Sequence, residues 1–345
     1  MASSINNSAW LEWMAGLIGG VSRHAEAAAF PPDRFYCLLD ELPLHLIPRA
    51  ARQALRQRTR IEQTLILNPE CILTCGEQVP EEFTHSADLL SRFALQGTIA
   101  WVRSSPTGPL LPFWLGRRFS ALLRSARANE PIPRTIPDDV LELFRAAGIL
   151  IPESAPTPVP VEAFEKSAAT FRERGYVPLR DLIHPFHIAA LRRYYRHLIR
   201  TGTIQLGDLQ SPRRYVAYNE PVARFFHRHI ATALSAVAGE PLKPSYVYLA
   251  SYLSGAELKK HTDREQCEFS ITLCLDFSPE PTLATPWPIR LDTPRGTVTV
   301  YQALGDGLAY RGTRLPHYRD PLPQGHTSTS IFFHYVSADF KGSLE

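Results

Sequence analysis

This sequence has no long apolar run, few cysteines and a small net charge. No stretch approaches the roughly 18 uninterrupted apolar residues of a membrane helix, which argues against a membrane protein. The five cysteines are few, odd in number and unclustered, so they do not form the framework of a disulfide-rich secreted domain. Because 37 basic residues stand against 34 acidic ones, the net charge is only +3, and the composition does not indicate a nucleic-acid-binding protein.

What the sequence does contain is typical of a soluble globular protein. Its 345 residues are 44% hydrophobic and 21% charged, and they suffice for a sizeable core and for two domains. The first 21 residues include Glu12 and carry no basic residue ahead of their apolar run, unlike a secretory signal. We therefore expect a cytoplasmic protein.

A proline-rich stretch divides the sequence into two parts. Four prolines fall within residues 152–160, which can sustain neither a helix nor an interior strand, so a linker is predicted over 152–161. Residues 1–151 are interpreted as a mainly helical N-terminal domain of unknown role. Its predicted helices cover Ala9–Val21, Pro48–Leu67, Glu81–Trp101, Phe113–Ala128 and Asp138–Ala147.

Residues 162–345 have a different pattern, which makes the whole chain an α+β protein. Two amphipathic helices are predicted first, over Glu162–Arg174 and Pro185–Arg200. Short β-rich runs separated by Gly, Pro and Asp turns then follow, over Ser245–Leu253, Phe269–Phe277, Ile289–Leu291, Thr297–Tyr301, Gly307–Tyr310 and Ser328–Val336. Such runs are typical of an all-β sandwich or jelly roll.

Three side chains in the β-rich part suit a metal ion. On a strand, residues i and i+2 point to the same side, so His261 and Asp263 can address one ion. His317, at the end of a later hairpin, supplies a third ligand. Two imidazoles and one carboxylate leave coordination positions open, as non-haem Fe(II) oxygenases require. The His-x-Asp pattern is common by chance, and its β context with the later histidine is what makes it informative.

The segment around these residues resembles a known family. Tyr252, a turn at Gly255 and then His261-Thr262-Asp263 are similar to the strand-and-turn segment of 2-oxoglutarate/Fe(II)-dependent oxygenases of the prolyl 4-hydroxylase type. Gly305-Asp306 followed by His317 resembles the turn that leads to their second iron histidine. The resemblance covers roughly residues 165–340. It implies a double-stranded β-helix, Fe(II), 2-oxoglutarate and O2.

The implied activity is hydroxylation, or a related oxidation, of an unactivated C–H bond. The expected partner is a small molecule, an amino acid or a peptide, or a biosynthetic intermediate, with no nucleic acid and no membrane involved.

One departure from the family concerns the co-substrate. The family places an Arg or Lys about ten residues after the second histidine, to pair with the far carboxylate of 2-oxoglutarate. Here no Arg or Lys lies between Asp320 and Phe340. Arg319 is the candidate substitute, and Tyr252 is expected to donate a further hydrogen bond. Arg213 and Arg214, in a loop ahead of the strands, are candidates for facing the mouth of the barrel and binding a substrate carboxylate.

Two other functions remain open at this point. A zinc hydrolase would use the same two histidines and carboxylate, with Glu265 or Glu268 as general base. A non-catalytic jelly-roll module with a vestigial metal site is the second, and the missing cation after His317 is its main support.

Overall fold

The computed structural model describes residues 30–49, 51–52, 64–103, 108–123, 126, 130–132, 136–153, 161–209 and 211–344. These form two compact units. The first holds the described residues of 1–42, 61–104 and 110–155, and the second those of 43–60, 105–109 and 156–345. The predicted helix over Ala9–Val21 and most of the predicted linker lie outside the described residues.

The first unit combines strands with short helices. Its strands are β1 (Leu65–Leu67), β2 (Cys71–Cys75), β3 (Thr98–Arg103), β4 (Leu110–Leu115) and β5 (Leu150–Pro152). Its helices are α1 (Ala87–Leu90), α2 (Arg117–Leu123) and α3 (Asp138–Ala146), with a 3-10 turn over Glu81–Phe83. Strands β2, β3 and β4 pair in that order as an antiparallel sheet, and β1 pairs with β5.

The prediction of a mainly helical N-terminal domain is not confirmed. The helix predicted over Asp138–Ala147 is present, but the one over Glu81–Trp101 is wrong and ends in β3. Leu65–Leu67 is also a strand rather than the end of a helix, and β4 replaces the start of the helix predicted over Phe113–Ala128. Four consecutive residues of β3, 99–102, are buried. A continuously buried strand has no period-2 alternation, so its sequence pattern does not separate it from a buried helix.

The second unit carries three long helices and eleven strands among its described residues. The helices are α4 (Val161–Arg174), α5 (Pro185–Arg200) and α6 (Pro221–Ala238). The strands are β6 (Tyr176–Leu179), β7 (Gln205–Leu206), β8 (Arg214–Tyr218), β9 (Leu242–Tyr252), β10 (Leu258–His261), β11 (Phe269–Ser278), β12 (Ile289–Thr293), β13 (Gly296–Val300), β14 (Gly307–Tyr310), β15 (His317–Arg319) and β16 (Thr327–Ser337).

Local signals explain where the helices begin and end. Helix α5 starts at Pro185, and the His184 ring accepts a hydrogen bond from the Phe186 N–H. Helix α6 starts at Pro221 with Glu220 as its cap, and ends at Gly239 in the left-handed conformation. None of the described helices is both long and apolar enough to cross a lipid bilayer.

The strands of the second unit form two antiparallel sheets. The larger has the order β6-β14-β11-β16-β9-β8-β7 and the smaller the order β10-β15-β12-β13. Along the chain, β9 to β16 alternate between the two, with β12 and β13 together in the smaller sheet. This is the connectivity of a jelly roll, so the predicted double-stranded β-helix is confirmed.

The space between the sheets is filled mainly by aromatic side chains. The inward residues of β9 are Tyr246, Tyr248, Ala250 and Tyr252, which are buried with Trp287 and Phe332 in one cluster. Their period of two follows from the pleat of the strand. The first residue of β15 and the last residue of β10 line a cavity beside this cluster, which positions the predicted metal ligands.

Candidate metal centre

The three predicted metal ligands converge. His261, the last residue of β10, is the register partner of His317, the first residue of β15, and their ring centroids lie 4.4 Å apart. Asp263 follows two residues later, with its backbone N–H donating to the Gly312 carbonyl at 2.9 Å. Its Oδ1 is 3.5 Å from His261 Nε2 and 3.6 Å from His317 Nε2. One imidazole nitrogen from each histidine and one carboxylate oxygen therefore face a common point.

Hydrogen bonds to the backbone fix the tautomer of both histidines. The Nδ1 of His261 lies 2.7 Å from the Lys259 carbonyl, and the Nδ1 of His317 lies 3.0 Å from the Leu315 carbonyl. A carbonyl oxygen can only accept, so each Nδ1 carries the proton and donates it. In the neutral ring each Nε2 then presents a lone pair toward Asp263, as a metal ligand must.

The second oxygen of Asp263 is held by the protein. The Ser270 hydroxyl donates to Oδ2 at 3.1 Å, and the same hydroxyl lies 2.9 Å from Nδ1 of the buried His334. Gly312 leaves the room for this arrangement, since a Cβ there would overlap Asp263 Oδ2 and the Cys267 carbonyl. Oδ2 is thus committed to Ser270, and Oδ1 is directed at the histidines.

The electrostatics favour an ionised Asp263 and a neutral His317, which are the protonation states that a metal requires. Burial by itself raises the pKa of Asp263, but the hydrogen bond with His261 and the charges of His317 and His334 bring it below the usual range. Burial lowers the pKa of His317. The hydrogen bond with Asp263 raises the pKa of His261, which is the most exposed of the three. An ionised carboxylate beside a neutral buried imidazole is a ready ligand pair.

The triad opens into a cavity of about 260 Å³. Besides His261, Asp263 and His317, its walls contain Arg214, Tyr218, Tyr246, Tyr248, Tyr252, Leu258, Thr262, Arg264, Cys267, Tyr310, Phe332 and His334. The walls are therefore mostly aromatic, with a few polar groups, which is the usual make-up of a small-molecule site.

The structure buries Arg319 in the barrel interior. Its guanidinium lies 4.7 Å from the Trp287 ring centroid, and it donates to the Trp287 carbonyl at 2.7 Å and to Gln302 Oε1 at 3.0 Å. Its Nε has no hydrogen-bond partner, and no described carboxylate pairs with it. Burial lowers the pKa of Arg319. Arg319 does not line the cavity of the triad, but its charge acts on His317, Tyr252 and Tyr310.

Tyr252, the other predicted co-substrate residue, does line the cavity. It is buried at the end of β9, beside Trp287 at a ring-centroid distance of 5.1 Å. Arg214 is its register partner on β8 and also lines the cavity, with its guanidinium 5.8 Å from the Tyr252 ring. Arg213 instead donates to the Ser254 carbonyl.

Sequence reasoning missed the residues that support Asp263. Ser270, Gly312 and His334 come from β11, the β14–β15 turn and β16, and no local pattern links them to the His-x-Asp segment. Tyr246 and Tyr248 were also missed as cavity residues, although their spacing of two on one strand is a signal that could have placed them with Tyr252.

Comparisons with known proteins give structural likenesses only. No family model matches the sequence, and no curated protein matches it. Among solved structures, the epimerase SnoN from nogalamycin biosynthesis is 16% identical over 51% of this chain and 82% of its own, with a TM-score of 0.43. A Pseudomonas putida prolyl-4-hydroxylase is 15% identical over 50% of this chain and 98% of its own, with a TM-score of 0.41.

EctD from S. alaskensis is 17% identical over 50% of this chain and 76% of its own, with a TM-score of 0.41. Solved structures of 2-oxoglutarate/Fe(II)-dependent oxygenases, the family that the sequence motifs indicate, are thus similar to about half of this chain. At these identities and scores the likeness assigns neither a reaction nor a substrate, which depend on the residues of the site.

Proposed function

We propose that this chain is an Fe(II)- and 2-oxoglutarate-dependent dioxygenase that hydroxylates, or otherwise oxidises, an unactivated C–H bond. The observation that carries the proposal is the convergence of His261 Nε2, His317 Nε2 and Asp263 Oδ1, with each Nδ1 already bonded to a carbonyl. Two imidazoles and one carboxylate on one side of an ion leave its other positions for exchangeable ligands.

The donor set fits ferrous iron. All three donor atoms are nitrogen or oxygen, and Cys267, the nearest thiol, has its sulfur 3.0 Å from the Tyr246 hydroxyl. Burial raises the pKa of the Cys267 thiol to about 12. With 2-oxoglutarate, the bound iron supplies the activation of O2 and the oxidising power of the reaction.

Arg319 supports the assignment of a dicarboxylate co-substrate. A guanidinium has five N–H donors, and the two hydrogen bonds of Arg319 go to neutral acceptors. A desolvated cation without a carboxylate partner is costly, and the far carboxylate of 2-oxoglutarate, extending past Tyr252 at the cavity wall, would compensate that charge. Tyr252, whose hydroxyl lies within electrostatic reach of Arg319, is assigned a supporting hydrogen bond to the same carboxylate.

Other groups of the chain orient the metal ligands and line the cavity. The carbonyls of Lys259 and Leu315 orient the two imidazoles, and Ser270 orients Asp263 through Oδ2. The aromatic walls surround the reacting centre with ring surface. The overall balance is substrate C–H plus 2-oxoglutarate and O2 giving C–OH, succinate and CO2.

The zinc-hydrolase alternative loses its general base. Neither Glu265 nor Glu268 lines the cavity, and a Glu268 carboxylate oxygen lies 3.8 Å from Arg311 Nη1. A hydrolase needs a base within reach of the metal-bound water. The only carboxylate among the described residues that line the cavity is Asp263, which the metal would take.

Turnover of the co-substrate tests the proposal. Purified protein given Fe(II), 2-oxoglutarate and O2 is expected to form succinate, slowly without substrate and faster with it. The His261→Ala and His317→Ala variants are expected to lose this activity. Succinate formation that persists in both variants, or activity with zinc under strict anaerobiosis, would overturn the assignment.

A further inference from the structure

Part of the cavity is lined by residues that we assign neither to the metal nor to the co-substrate. We call it the aromatic wall, and it consists of Tyr218, Tyr246 and Tyr248 with the flanking cations Arg214 and Arg264. The Tyr218 ring centroid lies 4.4 Å from that of Tyr248 and 6.1 Å from that of Tyr246. The Arg264 guanidinium lies 4.8 Å from the Tyr246 centroid, and Arg214 lies 5.4 Å from that of Tyr248. Rings and cations therefore form one continuous surface beside the triad.

The wall offers ring surface rather than hydroxyl groups. The Tyr248 hydroxyl donates to Asp208 Oδ2 at 2.9 Å, and the Tyr246 hydroxyl lies 3.0 Å from Cys267 Sγ. Both hydroxyls are therefore engaged by the protein. Tyr218, at the end of β8, is 58% exposed and continues the surface toward solvent. A ligand on this wall contacts mainly aromatic rings, which favours a planar apolar group.

The two cations of the wall differ in how their charges are compensated. Arg214 is 3% exposed and donates twice to Asp208 Oδ2, from Nε at 3.1 Å and from Nη2 at 2.5 Å. Arg264 has no ion pair with any described residue, and its side chain interacts with Tyr246 and Cys267. Arg264 and Asp263 line the same cavity, so an anion that Arg264 holds there shares the cavity with the metal centre.

The lining of the cavity also disfavours a cationic group on an organic ligand. Among its described lining residues the single acid is Asp263, whose oxygens are committed to the metal and to Ser270. An ammonium group in the cavity would find no carboxylate to compensate its desolvation, whereas a carboxylate would find Arg264.

We infer that the substrate of this site is a carboxylate that carries a planar, aromatic or conjugated group. The planar group lies on Tyr218, Tyr246 and Tyr248, and the carboxylate pairs with Arg264. This substrate class rests on the proposed function, because it concerns the same cavity, but its binding does not need turnover.

Binding of matched probes tests the inference. Three aromatic acids, 3-phenylpropanoate, indole-3-acetate and 2-naphthoate, are each compared with the corresponding primary amide. In addition, 3-phenylpropanoate is compared with 3-phenylpropylamine and with butanoate. Affinities are measured by titration calorimetry on the full chain, metal-free and again with Mn(II) and 2-oxoglutarate. At least one acid is expected to bind about tenfold more tightly than its amide, and 3-phenylpropylamine and butanoate are expected to bind more weakly than 3-phenylpropanoate.

Variants test whether the aromatic wall causes the preference for the acid. Arg264→Gln is expected to remove the preference for the acid while leaving the affinity of the amide unchanged. Tyr218→Leu is expected to weaken the ring-bearing probes severalfold and not butanoate. Arg290→Gln is the matched control, since Arg290 also lies over a tyrosine ring, at 5.9 Å from Tyr318, but outside the cavity.

Four outcomes would overturn the inference. The first is that none of the three acids binds more tightly than its amide, and the second is that Arg264→Gln keeps the preference for the acid. The third is that Arg290→Gln loses this preference as fully as Arg264→Gln, and the fourth is that 2-oxoglutarate displaces the acids. The last result would assign the wall to the co-substrate. Failure of the protein to bind Mn(II) and 2-oxoglutarate would instead count against the proposed function, and the metal-free titrations would still decide the substrate class.

Discussion

His261 and His317 are register partners on β10 and β15, and both donate Nδ1–H to the carbonyl two residues earlier in the chain. The pairing fixes the distance between the two rings, and the backbone bonds fix which nitrogen faces Asp263. The proposed metal site is therefore built into the strand register before any ion is bound. Preorganisation of this kind reduces the entropy that a ligand must overcome on binding.

Gly312 is predicted to be required for metal affinity. In Gly312→Ala the new Cβ would overlap Asp263 Oδ2 and a backbone oxygen that cannot swing away, so Asp263 is displaced from the histidines. We expect Fe(II) affinity to fall about tenfold or more, as for other losses of support behind a metal ligand. Anaerobic titration with Fe(II) measures it, and Gly342→Ala, near the C-terminus and outside the cavity, is the control. Equal affinities in both variants would contradict the prediction.

Arg319 is predicted to set the affinity for 2-oxoglutarate. Arg319→Gln removes the buried cation, and we expect the KM for 2-oxoglutarate to rise by about ten- to a hundredfold, with Fe(II) affinity unchanged. Arg319→Lys keeps the charge but loses the planar fork, so an intermediate KM is expected. Succinate formation at varied 2-oxoglutarate is the assay, with Arg290→Gln on the neighbouring strand β12 as control. An unchanged KM in Arg319→Gln would show that Arg319 does not bind 2-oxoglutarate.

Arg192 is predicted to stabilise the second unit. Its guanidinium is buried and donates to Asp276 at 2.9 Å, to Glu280 at 3.1 Å and to the Leu46 carbonyl at 2.5 Å. Arg192→Ala leaves these acceptors partly unpaired in the interior, so we expect a loss of about 3 kcal/mol in the free energy of unfolding.

Arg196→Ala provides the comparison for Arg192. Arg196 pairs with the same Asp276, but its side chain is 41% exposed, so we expect a loss of about 1 kcal/mol or less. Urea unfolding followed by circular dichroism measures both variants. A smaller loss for Arg192→Ala than for Arg196→Ala would show that the buried network does not stabilise the unit.

His227 is predicted to make the fold sensitive to acid. Burial lowers its pKa from 6.5 to about 3, with Arg224, Arg228 and His334 opposing protonation and the His334 carbonyl at 2.7 Å partly favouring it. The unfolded chain takes up this proton below pH 6.5 and the folded chain does not, so stability is complete above pH 6.5 and declines toward pH 3. Between pH 7.5 and 5.5 this group costs about 1.4 kcal/mol.

A variant isolates the contribution of His227. In His227→Gln, which keeps an N–H donor, the free energy of unfolding is expected to fall by about 1.4 kcal/mol less than in the wild type between pH 7.5 and 5.5. Urea unfolding at the two pH values, without metal, gives the difference. Identical pH dependence in the two proteins would show that His227 does not cause it.

The sequence predicts the second unit well because its signals are local. The helix over Pro185–Arg200 and the strand over Gly307–Tyr310 have the predicted bounds, since proline, glycine and turn residues mark their ends. The triad could also be predicted, because a His-x-Asp segment in a β context with a later histidine needs only the known pairing of jelly-roll strands. The division into domains over 1–151, 152–161 and 162–345 stays a prediction.

Other features depend on contacts that no local pattern records. The buried strand Thr98–Arg103 lacks the alternation that marks a strand, so the helix predicted over Glu81–Trp101 runs into it. Leu46 belongs to the second unit and contacts Arg192, 146 residues later, which a boundary at the proline-rich stretch does not anticipate. Ser270 and Gly312 support Asp263 only through the folded barrel, and a single sequence cannot reveal them.

Equilibrium binding of Fe(II) tests the central claim most directly. Wild type, His317→Ala and His326→Ala are titrated anaerobically, and His326 is the matched control because its Nδ1 also bonds the carbonyl two residues earlier, at 2.9 Å, outside the cavity. The account predicts one Fe(II) per chain in the wild type and in His326→Ala, and loss of that binding in His317→Ala. Unaltered Fe(II) binding by His317→Ala would contradict it.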